Sequence, residues 1–374
     1  MHYLDHAATT AVLPEAAEIA CRVMTRQFGN PSSVHKMGIE ASEILETARK
    51  QVAALMNAEP SEITFTSCGT ESTATAIYGA CRRKGRGKHI ITTAIEHSAT
   101  LNTVKQLEQE GFSVTYLQPD ETGHISVSDL RDAIQPDTVL LTCMLANNEL
   151  GTLLPVKEFG KILKKKAPDA LFHIDAVQGL GRIPLKPKLW NADFISVSGH
   201  KIGAPKGIGA LYIKKGVRIH PLMLGGGQER GMRPGTEALP NIAAFGVACD
   251  IDRMHLDDNY QKVEALCEKL KQGIAQRFPW AVYNGSNDIP HVVNLSFVGC
   301  KSEVMLRVLE MHEVYVSSGS ACAKGKASHV LSAMNISHER LDSALRISFA
   351  PTSTEEDVDA LLNALEEGAK RLRR

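Results

Sequence analysis

Ser198-Gly199-His200-Lys201 follows a short apolar run at residues 194–197. Lysine is the side chain that condenses with carbonyl compounds to form Schiff bases. The plain alternative for Lys201 is an ion pair with a neighbouring acid. Lys206, five residues on in Gly203-Ala204-Pro205-Lys206-Gly207, reads as an exposed turn residue instead. Asp175 follows a second apolar run, at 171–174, with Gln178 shortly after it. A carboxylate beside a buried strand is costly without a partner, and a protonated ring nitrogen would serve as one. Arg346 is flanked by apolar residues within 345–349. Its fork of donors suits a carboxylate held at two points, or a structural salt bridge.

Other polar groups carry weaker signals. In Cys68-Gly69-Thr70-Glu71, the glycine frees the backbone where a helix should open. Main-chain N–H groups there, with the Thr70 hydroxyl, can bind an anion; a simple helix cap is the alternative. His97, in Glu96-His97, could stack on a flat ligand or move protons. In Asn147-Asn148-Glu149 the two amides and the carboxylate could fix a ligand hydroxyl, although turn formation is the commoner use of an Asn pair. The segment at 225–236, ending Arg233-Pro234-Gly235-Thr236, is too glycine-rich for a helix or strand. It suggests a loop closing on an anion, and lacks the Gly-Lys-Ser/Thr ending of a P-loop. Cys322 lies in the small, polar stretch Ser317-Ser318-Gly319-Ser320-Ala321-Cys322-Ala323-Lys324. Adjacent lysines favour its thiolate, whereas Cys81 and Cys143 sit in apolar surroundings that suit packing.

These residues need elements to place them. Short runs rich in β-branched or apolar residues, at 63–66, 89–92, 114–117, 139–144, 171–174, 194–197 and 211–213, predict strands. Amphipathic stretches at 39–56, 71–83, 98–110 and 156–166 predict helices between them. The alternation predicts an α/β fold with a mainly parallel seven-stranded sheet over residues 13–254. Ligands of such sheets sit beyond the carboxyl ends of the strands, which is where these polar groups fall. From 255 the texture changes. Helices at 260–276 and 302–310 and strands at 292–297, 314–316 and 345–349 predict a smaller α+β domain, formed by residues 1–12 and 255–374 and carrying the Cys322 loop. A last helix opens at Ser353 or Thr354 and ends in basic residues, complementing the helix dipole.

Composition excludes several classes. In 374 residues, Lys+Arg and Asp+Glu are both 42, so the net charge is zero; neither nucleic acid nor an anionic membrane is an expected direct partner. No apolar run approaches the ~18 residues of a membrane span, and the N-terminal residues lack the features of a secretory signal. The 8 cysteines form no Cys-x-x-Cys pair, so neither a metal site nor a disulfide framework is expected. A cytoplasmic setting follows as an expectation.

Taken together, the motifs resemble the NifS/IscS-like cysteine desulfurases, class V aminotransferase relatives within the fold-type I pyridoxal-phosphate enzymes. The resemblance runs nearly end to end, from Tyr3-Leu4-Asp5-His6-Ala7-Ala8-Thr9-Thr10 and Gly29-Asn30-Pro31-Ser32-Ser33 to the Cys322 loop. It implies pyridoxal 5'-phosphate held by Lys201 as a Schiff base, Asp175 on the pyridinium nitrogen and His97 stacked on the ring. Gln178 and Asn148 would lie near the phenolic oxygen and substrate. Gly69, Thr70, Ser198 and His200 would hold the phosphate, with Thr236 reaching it from the second subunit of a homodimer. Arg346 would grip the carboxylate of L-cysteine. Cys322 would take its sulfur as a persulfide, leaving L-alanine, and pass it to an acceptor protein for iron–sulfur cluster assembly or tRNA or cofactor thiolation. The family's Gly-Ala-Thr-Glu is Cys68-Gly69-Thr70-Glu71 here, Ala74 stands where Asn is common, and the segment after Cys322 is about two residues short. A related aminotransferase or selenocysteine lyase would share Lys201 and Asp175 without needing Cys322. A non-catalytic scaffold would need none of the three.

Overall fold

The computed structural model describes residues 1–83, 87–319 and 328–373. Cys322 lies outside them; of its loop only Ser317–Gly319 fall within the described residues. In chain order the elements are β1 (His2–Tyr3), α1 (Pro14–Thr25), α2 (Lys36–Leu55), β2 (Ile63–Thr66), α3 (Gly69–Cys81), β3 (His89–Thr93), α4 (Ser98–Gln109), β4 (Ser113–Leu117), α5 (Val127–Ala133) and β5 (Thr138–Met144). They continue through α6 (Val156–Lys166), β6 (Leu171–Asp175), β7 (Phe194–Ser198), β8 (Gly209–Ile213), α7 (Leu239–Arg277), β9 (Val282–Asn284), β10 (Val292–Ser296) and α8 (Ser302–Met311). The chain closes with β11 (Val314–Tyr315), α9 (His329–Ala333), α10 (His338–Asp342), β12 (Ala344–Ser348) and α11 (Glu355–Leu372).

The 7-stranded sheet has the order β2-β8-β7-β6-β5-β3-β4. Only β8 runs against the rest: it pairs antiparallel with both β2 and β7. The reason lies in its connection. A parallel return needs a crossover of a dozen or more residues, and the link from Ser198 to Gly209 is too short to hold a crossover helix. Strands β5, β6 and β7 are buried along their whole length, which explains their near-continuous apolar sequences. The strands predicted at 63–66, 171–174 and 194–197 form where expected, with β6 and β7 each one residue longer.

Around β12-β10-β9, an antiparallel sheet, a second core forms from Leu4, Leu270, Phe278, Phe297, Phe349 and Leu361. The N-terminal strand joins this part through parallel pairing of β1 with β11. One feature differs from the sequence reading. The helix predicted at 260–276 is the second part of α7, in which two helical segments spanning Leu239–Arg277 follow one another directly. It kinks at His255 (φ −119°, ψ 16°). Upstream it packs Phe245 and Cys249 into the core of the large sheet; downstream it packs Leu266 and Leu270 into the second core. Thr354 caps α11 through a reciprocal pair with Asp357, and its basic end is met by Glu366 and Glu367 on the preceding turn.

Candidate active site

The carboxyl ends of β2, β3, β5, β6 and β7 open onto one cavity of about 240 Å³. Its walls include Gly69, Thr70, His97, Asn148, Asp175, Gln178, Ser198, His200, Lys201 and Arg346. Among the described residues, the fold therefore brings together every expected cofactor- and substrate-binding residue except Thr236. Thr236 is exposed and lies off this cavity. Lys206 is exposed and off it as well.

Each side chain is set by its local structure. Asp175 is the last residue of β6, and its Oδ1 accepts the Val177 N–H at 3.0 Å. Burial pushes the Asp175 carboxyl up, while His97 and Lys201 pull it back. His97 caps α4, with Nδ1 accepting the Ala99 N–H at 3.1 Å. That bond leaves the ring proton on Nε2. Burial, and to a lesser degree the Lys201 charge, hold this imidazole below its ordinary range. Lys201 closes the short turn after β7, and its Nζ donates to the carbonyls of Ala7 (2.6 Å) and Ala8 (2.8 Å). Gln178 donates to the same Ala7 carbonyl at 3.0 Å. His200 is also held neutral: burial and two nearby lysines push it down to about 4.

Arg346, on β12 and 1% exposed, reaches the cavity from the second core. It bridges to Asp5 Oδ1 (2.6 Å) and the Asn148 carbonyl (3.0 Å), while its Nε is buried without a partner. Of the asparagine pair, Asn147 is the turn-former, its Oδ1 accepting the Glu149 and Leu150 N–H groups. Asn148 is the one that faces the cavity. Cys68 also lines it, at the start of α3.

Two fully buried carboxyls, Glu96 and Glu149, support the site; the sequence reads Glu149 as a ligand-fixing group, whereas Glu96 carries no separate signal in it. Glu149 accepts from the Ser328 hydroxyl. Glu96 accepts from the Thr93 hydroxyl (2.7 Å) and the Met144 N–H (3.0 Å), and its main-chain carbonyl meets His329 Nε2 at 2.9 Å. His329 went unread because nothing near it in sequence marks a site. Burial pushes Glu96 up to about 8 from 4.5. The folded chain thus keeps a proton that the unfolded chain loses above about pH 4.5, so stability falls as pH rises from there to about 8. Glu96→Gln, which keeps both accepted bonds, is expected to remove this loss. At pH 8 the variant should be more stable than the parent by roughly 2–4 kcal/mol, and near pH 4.5 about equal to it. Urea melts at both pH values check this; equal stability at pH 8 contradicts it.

The glycine-rich segment is held by a buried ion pair. Glu229 takes a bidentate contact from Arg49 (2.7 and 2.8 Å) and also accepts the Phe65 N–H at 2.8 Å. Glu229 and Arg230 both have positive φ, at 47° and 58°, a conformation that ordinary residues adopt only when the surroundings insist. Arg233 adds a bond to Glu71 at 3.0 Å, tying the segment to the start of α3. Removing one partner leaves a buried charge alone, so Arg49→Met is expected to cost about 3–5 kcal/mol. Urea denaturation reads this, and a loss under 1 kcal/mol would show that the pair does not anchor the segment.

The phosphate end of the expected cofactor can be tested against the fold. Ser198 Oγ is buried without a partner. A Cβ on Gly69 would come within 2.8 Å of Val177 and 3.4 Å of Ser198, so only glycine leaves this corner open. The first N–H groups of α3 have no intrahelical acceptors. An anion of phosphate size fits that chemistry. With an anion held there, Asp175 would face the ring nitrogen and Lys201 would supply the amine for a Schiff base.

A seven-stranded, mainly parallel sheet with lysine, aspartate and histidine at its strand ends defines the class of α/β enzymes built around pyridoxal phosphate. The chain belongs to the aminotransferase class-V family, whose profile matches residues 2–361. It is 42% identical over 375 residues to a cysteine desulfurase of Trichormus azollae, covering 99% of this chain and 93% of that one. It is 43% identical over 370 residues to the cysteine desulfurase IscS of Clostridium botulinum, covering 97% and 93% respectively. The solved structure of a NifS-like protein, 38% identical, superposes with a TM-score of 0.94 over 100% of both chains.

Proposed function

We propose that this chain is a pyridoxal-phosphate-dependent cysteine desulfurase that converts L-cysteine to L-alanine and holds the released sulfur on Cys322. The observation that carries the reading is the convergence of Lys201, Asp175, His97 and Arg346 on one cavity. Within it, Lys201 and Asp175 would hold the aldehyde carbon and ring nitrogen of the cofactor, with Gly69, Thr70, Ser198 and His200 at its phosphate. Gln178 and Asn148 lie beside the ring and substrate positions. When bound, pyridoxal phosphate supplies an electron sink next to the substrate's α-carbon.

The chain's own groups do the rest. Arg346 orients the substrate carboxylate, for which Asp5 must yield part of the guanidinium. The Lys201 amine would move the α-proton, and the half-buried, neutral His97 would exchange a proton at Nε2. The Cys322 thiolate then attacks the substrate sulfur. A sulfur–sulfur bond forms, the carbon–sulfur bond breaks, and the electron pair stays on the carbon skeleton, which takes up protons to become alanine. L-Cysteine plus thiol therefore gives L-alanine plus persulfide with no outside oxidant. An acceptor protein of iron–sulfur assembly or of tRNA or cofactor thiolation takes the sulfur next.

Thr236, exposed and off its own chain's cavity, suits a homodimer in which it completes the partner's phosphate site. The kink at His255 suits a boundary between a large domain (13–254) and a small one (1–12 with 255–374). Among the described residues no helix is long and apolar enough to cross a membrane, and a cytoplasmic enzyme acting on a soluble substrate is the setting proposed. An absorbance scan and a product assay test the reading together. The account expects a yellow protein that forms sulfide and alanine in equal amounts from L-cysteine with a thiol reductant. A protein that stays colourless with added cofactor would overturn it.

A further inference from the structure

A second cavity, of about 330 Å³, opens at the kink of α7. That volume falls within the range of about 300–1,000 Å³ typical of small-molecule sites. It shares only Lys201 with the first cavity. The segment after β1, the α7 residues around His255, and the chain following β12 form its walls.

Three buried polar side chains face it with bonding capacity left over. Arg182, 5% exposed, spends Nη1 on the main-chain and side-chain oxygens of Gln178. No hydrogen bond or ion pair engages its other nitrogens. Asp252, 8% exposed, has no hydrogen bond, and no cation among the described residues comes within the 4.0 Å of an ion pair. Burial raises its carboxyl to about 7, with Arg182 pulling it down. His291, 2% exposed, leaves Nδ1 without a partner. Leu13, Ile202, Ile251 and Phe349 supply apolar wall between these groups.

The pattern is selective. A buried guanidinium and a buried carboxyl face one cavity without meeting. A simple carboxylate would answer Arg182 and leave the Asp252 carboxyl without a partner; a simple amine would answer Asp252 and leave the buried Arg182 charge uncompensated. An α-amino acid answers both, its carboxylate on the Arg182 fork and its ammonium on Asp252. The apolar wall suits a small apolar side chain.

We propose that this cavity binds a small apolar α-amino acid at a site separate from the reaction centre. The connection to the centre is direct. Arg182 holds Gln178, Gln178 donates to the Ala7 carbonyl, and that carbonyl also accepts from Lys201 Nζ. Occupancy would thus be felt at Lys201. The binding site stands on its own geometry; identifying its ligand with the alanine released by the reaction rests on the desulfurase reading.

The test uses holoenzyme treated with borohydride, so that the cofactor is fixed on Lys201 and amino acids cannot exchange there. Calorimetric titration with L-alanine is expected to show saturable binding, with propionate and ethylamine at least about tenfold weaker. Asp252→Asn should weaken L-alanine at least about tenfold. Ile251→Trp, which fills the cavity, should abolish it, and a retained cofactor absorbance shows that either variant is folded. No saturable binding, or binding that Asp252→Asn leaves unchanged, overturns the proposal. Failure of the desulfurase reading shows separately: borohydride then fixes no chromophore, and the same titration is run on the untreated protein.

Discussion

Lys201→Ala is expected to reduce sulfide formation from L-cysteine by at least ~10³-fold. Lys201 is the amine at the end of β7, held by the Ala7 and Ala8 carbonyls and facing the same cavity as Asp175 and His97. Among the described residues no other lysine lines that cavity. The variant should still bind pyridoxal phosphate, because the phosphate corner at Gly69 and Ser198 is untouched. The cofactor should, however, leave on gel filtration in a way it does not from the parent. Borohydride followed by peptide mapping should label Lys201 in the parent and nothing in the variant. Label on Lys206 instead would place the chemistry at the wrong turn.

Cys322→Ala should cost a similar factor in sulfide release, by a different route. Removing a nucleophile typically costs several orders of magnitude, while the groups that hold the cofactor and substrate stay in place. The visible band of the holoenzyme should therefore be unchanged, and L-cysteine should still perturb it. The two variants thus fail at different stages, one without a covalent cofactor and one without a sulfur acceptor. A related aminotransferase or lyase that shares Lys201 and Asp175 would lose activity with Lys201→Ala only. Undiminished sulfide release by Cys322→Ala would identify that alternative.

Much of this arrangement was legible in the sequence, for physical reasons. Strands β5 to β7 are covered on both faces, so they read as unbroken apolar runs, and the first polar residues after them had to be site or turn residues. Asp175, Ser198 and Lys201 were found that way. Asn147 and Asn148 could be told apart only through the family resemblance, because a turn-forming amide and a ligand-facing one look alike until the backbone direction is known. The role of Glu96 was hidden for another reason. It depends on the carboxyl being fully buried, and burial of a carboxyl after a strand is set by distant segments such as Met144. The antiparallel course of β8 follows from loop length alone, yet alternation of strand and helix masks it. The continuity of α7 was missed because its pattern changes at His255, where the helix passes from one core to the other. Arg182 and Asp252 lie 70 positions apart, and no local pattern announces that they share a cavity.

The central claim is that sulfur leaves cysteine and stops on one particular thiol. Mass spectrometry after a single turnover without reductant tests it most directly. The account predicts that the peptide carrying Cys322 gains the mass of one sulfur atom, that a thiol removes it, and that alanine forms in matching amount. Added sulfur on Cys68 or Cys21 instead, or alanine formed with no sulfur retained on the chain, would contradict it.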